Sequence, residues 1–281
     1  MEVLSYLLLV IYALCSATYS LFIKVSANRL VLFGALNLVT ALIAFILIWF
    51  VPLPSTSSFL FIGLSSIAYT CMLYFAAKAY DQNDLSYLAP INAAFKFLLT
   101  LMISAFIFAE SVTGVEWICI SIITFGILLK TPLSKITNIK SDKGLLYLMG
   151  AAFFGTAQFL IDIYGIKQAD HTIAYIIWLM FIGLPVGIIA LAKYRRSIIA
   201  LVNKEKGQII ASSLLDNVGY ACILFVLYYT EVSEALPVSN LNIVFATLIG
   251  AFFLKEKAGH RRIIAAIIIT VGIMASQIYG T

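Results

Sequence analysis

Charged residues are scarce in this chain: Asp, Glu, Lys and Arg make up 11% of its 281 residues, whereas soluble domains contain about 25%. Hydrophobic residues make up 63% of the chain, and the mean hydropathy is +1.05. A water-soluble protein of this composition would expose large apolar patches, so its natural solvent is lipid. The formal charge of +5 is spread over short loops between apolar runs, which excludes a nucleic-acid surface.

Histidines and paired cysteines, common protein ligands of metals, are nearly missing. The two histidines, His171 and His260, each stand at the edge of an apolar run. The four cysteines form no CxxC pair, and all lie inside apolar runs, at Cys15, Cys71, Cys119 and Cys222. Buried cysteines of this kind behave as small hydrophobic residues. We therefore expect no metal site and no cofactor.

Motifs of membrane-embedded enzymes are also missing. The sequence contains neither HExxH, which a zinc protease needs, nor GxxxxGK[ST], which binds ATP. We therefore expect a protein that is not an enzyme. Residues 1–3 lack the basic segment of a secretory signal, and the apolar stretch 4–23 is as long as a membrane span. The first apolar run is thus expected to be a helix of the mature protein.

Long apolar runs are what the chain has in abundance. A helix crosses the hydrocarbon of a bilayer with about 17–25 apolar residues. Ten such runs follow one another, at residues 4–23, 30–51, 58–78, 85–108, 113–130, 144–164, 172–193, 208–229, 234–254 and 261–279. The sequence therefore predicts an all-α integral membrane protein with ten transmembrane helices.

The two halves of the chain resemble each other. SSIAYTCMLYF at 65–75 aligns without gaps with DNVGYACILFV at 216–226, and this brings Tyr69 into register with Tyr220. Two apolar segments can match by chance, but matching polar landmarks in the same order make chance a poor explanation. The alignment therefore indicates an internal repeat.

The last helices of each half match as well. FGIL at 125–128 corresponds to VGIM at 271–274, with the same offset that relates Glu110 to Glu256. The longest polar connection separates the halves, so we predict a first repeat over 1–142 and a second over 143–281, with five helices each. Because five is an odd number, the second repeat must be inverted in the membrane, an arrangement found in many transporters.

Positive charges offer an independent test of this inversion. All of the 18 lysines and arginines except Lys96 and Lys167 lie in or beside the odd-numbered loops between spans. The positive-inside rule places those loops in the cytoplasm and both termini outside it. We expect the membrane to be a bacterial inner membrane.

Each half ends with the same order of features: an apolar helix, an acidic residue, a short loop and a glycine-containing helix. In the second half this whole pattern reads EALPVSNLNIVFATLIGAFFLKEKAGHRRIIAAIIITVGIM. With the five-plus-five plan, this pattern resembles the drug/metabolite transporter superfamily, particularly its EamA-type ten-helix members. The resemblance implies a carrier of amino acids or other metabolites, nucleotide sugars or organic phosphates. Many members are thought to keep both termini in the cytoplasm, whereas the charges here favour the opposite.

Lys96 lies about 16–18 Å of helix from either end of the fourth span, near the midplane. An ionisable side chain at that depth costs about 2.5–3.5 kcal/mol on insertion scales, which makes it a functional candidate. Asn92 lies one turn away on the same face. One hypothesis is that Lys96 binds a substrate carboxylate or phosphate, and the other is that it forms a structural ion pair with a buried carboxylate.

Asp216 is the expected partner of Lys96. It lies about 12 Å into the eighth span, beside Asn217 and one turn before Tyr220. A carboxylate there could pair with Lys96, accept a substrate ammonium, or bind and release a proton. The sequence leaves all three possibilities open.

Further polar residues complete the candidate site. Asp162 shares a helix face with Gln158, and we expect it at the solvated mouth of the sixth span, as a second candidate for proton coupling. Asn240 and Asn242, in the repeat mate of the fourth span, either bind substrate or only link helices. Candidates for the cavity wall are Tyr12, Ser16, Tyr19, Tyr69 and Tyr74.

These features predict a secondary transporter that works by alternating access on a small solute. A lysine and an aspartate near the centre suit a zwitterion, so we expect an exported amino acid or similar metabolite, with the proton as candidate coupling ion. One alternative is an anionic phosphorylated or nucleotide-linked solute held by Lys96, and another is a non-transporting membrane scaffold subunit. The expected partners are the substrate and the lipid bilayer, without nucleic acid, and the oligomeric state is open.

Overall fold

The computed structural model describes residues 3–25, 29–82, 85–109, 112–129, 143–253 and 260–279, and the regular structure in these ranges is helical. The helices are α1 (Val3–Val25), α2 (Arg29–Leu47), α3 (Thr56–Gln82), α4 (Leu85–Ile107), α5 (Gly114–Leu129), α6 (Lys143–Lys167), α7 (Thr172–Leu179), α8 (Leu184–Tyr229), α9 (Val232–Ser239), α10 (Leu241–Phe253) and α11 (His260–Tyr279). One-turn 3-10 helices follow α2 and α7, at Ile48–Phe50 and Met180–Gly183. The predicted all-α class is confirmed for the described residues.

Most of these helices are apolar enough to lie in a membrane. Six helical runs in the described ranges are long enough to cross one: Val3–Ser20, Val31–Phe50, Thr56–Ala79, Lys143–Lys167, Thr172–Tyr229 and Val232–Ile249. Shorter apolar stretches lie at Ile91–Ile107, Gly114–Leu129 and Ile264–Ala275. The membrane class agrees with the sequence, while the count of ten spans stays a prediction.

The predicted loop between the seventh and eighth spans is wrong, because the chain there is helical. The run Thr172–Tyr229 is 58 residues long, and α8 passes through the polar stretch with bends at Tyr194 and Glu205, where φ is −125°. A continuing helix pairs the main-chain N–H and C=O groups internally, which a loop close to lipid could not do.

The ninth predicted span, residues 234–254, is interrupted near its middle. Pro237 has no N–H to donate, and its ring crowds the carbonyl four residues earlier. The helix therefore ends soon after it, and a turn at Asn240 separates α9 from α10. Two hydrogen bonds hold this turn: Asn240 N–H donates to the Pro237 carbonyl at 3.1 Å, and Asn240 Nδ2 donates to the Leu236 carbonyl at 2.9 Å.

Helix contacts occur in matched pairs. α3 packs against α6 as α1 packs against α8, and α4 packs against α6 as α1 packs against α10. The contact α5–α11 joins the last helices of the two halves, and α2 packs on the first part of α8, where Gly34 lies against Ala190. Exchanging each predicted span for the predicted span five places along the chain leaves this pattern of main contacts unchanged.

Two glycines show this pairing at atomic detail. A Cβ atom on Gly126 of α5 would lie 2.8 Å from Ile269 Cγ1, and one on Gly272 of α11 would lie 2.7 Å from Ile123 Cγ1. The offset that relates Gly126 to Gly272 also relates Ile123 to Ile269. Each glycine thus lets the opposite helix approach closely, as small residues do between membrane helices.

Valine at either glycine is expected to destabilise the protein by a similar amount. Forced overpacking costs about 1–3 kcal/mol, and the two sites make equivalent contacts. Thermal unfolding in detergent would show the loss in Gly126→Val and in Gly272→Val. Gly63→Val is the control, because a Cβ on Gly63 meets no atom within 4 Å. An equal loss in the control would contradict the close-packing explanation.

Candidate functional site

A cavity of about 330 Å³ lies between α1, α2, α3, α4, α6, α7 and α8. Eight of the residues predicted for the site line it: Tyr19, Tyr69, Asn92, Lys96, Gln158, Asp216, Asn217 and Tyr220. Apolar side chains form much of the remaining wall, among them Phe33, Met72, Ile176, Leu179 and Ile182. An apolar wall with a few polar groups is typical of a site for a small molecule.

Lys96 reaches the cavity from α4 along the surface of α6. A Cβ atom on Gly155 would lie 3.7 Å from Lys96 Cε, and Lys96 Nζ lies 5.7 Å from the centre of the Phe159 ring. The carboxylate that interacts electrostatically with Lys96 is that of Asp162. Among the described residues, no carboxylate oxygen lies within 4.0 Å of Lys96 Nζ, the limit for an ion pair. The expected pairing with Asp216 is therefore wrong.

Asp162 is fully buried, with 0% of its surface exposed, so the predicted solvated position is wrong. It lies behind the cavity wall, and two cavity residues bind it. Gln158 Nε2 and the Tyr220 hydroxyl both donate to Asp162 Oδ2, and Gln158 Nε2 also donates to Tyr220 Oη at 2.8 Å. This end of α6 is covered closely, because a Cβ on Gly165 would collide with the Tyr175 hydroxyl.

Asp216 differs from Asp162 in its access to the cavity. Its side chain is exposed, and it lines the cavity from α8. The groups on which its charge acts are the hydroxyls of Tyr12, Tyr19 and Tyr69, on α1 and α3. A molecule in the cavity can therefore touch the Asp216 carboxylate directly, in a pocket with aromatic walls.

The α2 side of the cavity was missed by the sequence analysis. Asn37 and Thr40 line it, and Asn217 Nδ2 donates to Thr40 Oγ1 at 3.0 Å. Asn37 Nδ2 donates to the Phe33 carbonyl at 2.8 Å. Asn37 and Thr40 interrupt an otherwise apolar second span, and this signal could have identified them.

Several predicted site residues lie elsewhere. Tyr74 is 58% exposed and packs edge-on against Phe75, so it is wrong as a cavity residue. Ser16 accepts a hydrogen bond from Asn242 Nδ2 at 3.2 Å, which links α1 to α10. Ser16 and Asn242 do not line the cavity. Tyr12 and Asn240 do not line it either.

Comparison with known proteins gives this cavity a context. The model of the EamA-like transporter family matches residues 134–276, just over half of the chain. The chain belongs to the EamA-like transporter family. This family is part of the drug/metabolite transporter superfamily, so the EamA-like protein is a transporter of small solutes. The matched segment contains Asp162 and Asp216 but not Lys96.

Solved structures share the fold of this chain. Matches extend to 23 chains, and one crystal structure of a protein aligns with a TM-score of 0.69 at 13% sequence identity, over 97% of this chain and 98% of that chain. Identity this low shows the fold alone. None of the curated proteins matches the sequence.

Proposed function

We propose that this EamA-like protein carries a small zwitterion, such as an amino acid, across the membrane by alternating access. The supporting observation is that Lys96 and Asp216 line one cavity from different helices without pairing with each other. A charge in a membrane interior is costly. A ligand that carries both a carboxylate and an ammonium would compensate both residues at once, with its carboxylate at Lys96 and its ammonium at Asp216.

The remaining cavity wall would hold the substrate's other groups. Asn92 Oδ1 is buried and has no hydrogen-bond partner among the described residues, one turn from Lys96. The carbonyl oxygen of an amide accepts but cannot donate, so it would suit a donor group of the ligand. The apolar residues Phe33, Ile176 and Ile182 would face the substrate's side chain.

Ten spans in two inverted repeats, residues 1–142 and 143–281, complete the proposal. The 58-residue run Thr172–Tyr229 has about 87 Å of helix for a hydrocarbon core of about 30 Å. It would cross the membrane twice, because residues on both sides of its bends contact the same stretch of α2: Gly187 lies against Leu38, and Ser213 donates to the Leu36 carbonyl. The matched helix contacts and the equivalent Gly126 and Gly272 contacts support the repeats. Inverted repeats commonly form the substrate site at their interface.

The orientation in the membrane follows from the loop charges. We propose that the odd-numbered loops face the cytoplasm and that both termini lie outside it. The bent stretch of α8 would then lie at the cytoplasmic surface of a bacterial inner membrane, where Lys193, Arg195 and Arg196 are exposed. Substrate would leave the cell by the same cavity.

Transport by the purified protein in liposomes tests the substrate class. We expect labelled amino acids to exchange across the membrane, and excess unlabelled amino acid to compete more strongly than a simple amine or a monocarboxylate of similar size. Empty liposomes are the control. Preference for organic phosphates or nucleotide sugars would favour the alternative anchored on Lys96, and exchange of no compound would favour a scaffold.

A further inference from the structure

The two aspartates near the cavity differ in what can reach them. Asp216 is exposed inside the cavity, whereas Asp162 is 0% exposed and does not line it. Gln158 and Tyr220 stand between Asp162 and the cavity. A substrate can therefore contact Asp216 directly, but only a proton can be passed to Asp162 without displacing these two side chains.

The hydrogen bonds of Asp162 are unevenly divided between its two oxygens. Oδ2 accepts two bonds, from Gln158 and Tyr220, whereas Oδ1 is buried and has no partner among the described residues. The hydroxyl of Ser65 lies beside the same carboxyl group, and its Oγ is also buried without a partner. An unpaired buried polar atom costs about 1–3 kcal/mol. The Ser65 hydroxyl can donate to Oδ1 when the carboxyl group is ionised and accept from Oδ1 when it is protonated, so this place in the protein suits a carboxyl group that binds and releases a proton.

The groups around Asp162 come from every helix packed against this part of α6. α3 provides Ser65, α4 provides Lys96, α7 provides Tyr175 and α8 provides Tyr220. Lys96 is the only cation among these groups, and it also lines the cavity. The ionised form of Asp162 is stabilised by its hydrogen bonds and by the charge of Lys96, whereas the protonated form has no charge for Lys96 to compensate.

We propose that Asp162 Oδ1 binds the coupling proton of this transporter and that the proton and the substrate's carboxylate bind together. A hydronium ion gives up the proton, so one of its O–H bonds breaks, water leaves, and a new O–H bond forms at Asp162 Oδ1. Protonation removes the Asp162 charge that acts on Lys96 and leaves the ammonium for the substrate. By linkage, substrate bound at Lys96 favours proton binding to the same degree. This inference rests on the proposed function, because it assigns Lys96 to the substrate.

Joint binding also fixes the direction of coupling. Proton and substrate would cross the membrane together, so net export would occur only when the outward gradient of substrate exceeds the inward gradient of protons. A proton-driven exporter would need the opposite arrangement, in which the two compete for the empty site.

Infrared difference spectra of the purified protein between high and low pH test the proton site without any substrate. We expect the carbonyl band of a protonated buried carboxyl group in the wild type and in Asp216→Asn, and its loss in Asp162→Asn. Ser65→Ala removes the proposed partner of Oδ1 and should move the pH midpoint of the band, whereas Ser16→Ala, at the contact of α1 with α10, should leave it unchanged. A band that persists in Asp162→Asn would overturn the assignment.

Exchange in liposomes tests the coupling. We expect wild-type substrate affinity to rise as the pH falls, and Asp162→Asn, which resembles the protonated form, to bind with the wild type's low-pH affinity at every pH. Accumulation driven by a pH gradient should disappear in this variant while exchange continues. If its affinity keeps the wild-type pH dependence, the coupling role is refuted. If the wild type exchanges no zwitterion, the proposed function fails while the infrared result still decides the proton site.

Discussion

Lys96→Met is expected to weaken amino-acid exchange by the largest factor of any single substitution in the cavity. A hydrogen bond to a charged group contributes about 1.5–3 kcal/mol, which corresponds to roughly 10- to 150-fold in affinity. Methionine keeps the apolar stem that passes Gly155 and Phe159, so packing against α6 should survive. Exchange at a subsaturating concentration of substrate measures the loss.

The matched control for Lys96→Met is Lys193→Met, which removes the same charge from an exposed position on α8. We expect Lys193→Met to exchange substrate at the wild-type rate. Thermal unfolding of both variants separates loss of binding from loss of folding. Full exchange by a folded Lys96→Met protein would rule out any role of this lysine in binding substrate or in coupling a proton.

Asp216→Asn is expected to cause the second largest loss of amino-acid exchange. It should weaken binding of the substrate's ammonium, whereas Lys96→Met should weaken binding of its carboxylate. Without the carboxylate, a substrate ammonium loses its compensating charge, so affinity for zwitterions should fall by a similar factor. Competition by a monocarboxylate, which needs only Lys96, should be unchanged or stronger. Competition by a simple amine should disappear in Asp216→Asn and persist in Lys96→Met.

Asp170→Asn is the matched control for this variant, because Asp170 is exposed beyond the end of α6. Comparing amine and carboxylate competitors in Lys96→Met and in Asp216→Asn assigns each end of the substrate to one residue. If both variants lose amines and carboxylates equally, the cavity does not bind a zwitterion in the proposed orientation.

The membrane class and the polar residues of the cavity could be predicted from the sequence because lipid imposes a strong rule on composition. Long apolar runs mark helices, and within them a charged residue such as Lys96 or Asp216 stands out. The cavity also contains Asn37 and Thr40, which are less conspicuous because single neutral polar residues commonly link membrane helices.

What surrounds a residue could not be predicted in the same way. Position along a helix placed Asp162 near a helix end, but depth in the protein depends on which helices cover that end. Here α3 and α7 cover it, with Tyr175 packed directly against Gly165. For the same reason, the electrostatic interaction of Lys96 with Asp162 rather than with Asp216 depends on the packing of α4 against α6.

Under the proposed alternating access, the matched helix contacts would separate a part of the molecule that stays in place from parts that move. If the two halves exchange conformations during transport, the contact between α5 and α11 is the same before and after the exchange, so these two helices can stay packed together throughout. The α3–α6 contact takes the arrangement of the α1–α8 contact, and the α1–α8 contact takes that of α3–α6. One of these two contacts therefore loosens as the other tightens. α3 packs more extensively on α6 than α1 does on α8. If the protein works by the proposed alternating access, the structure corresponds to one end of the transport cycle, and the same packing with the two halves exchanged would give the other end.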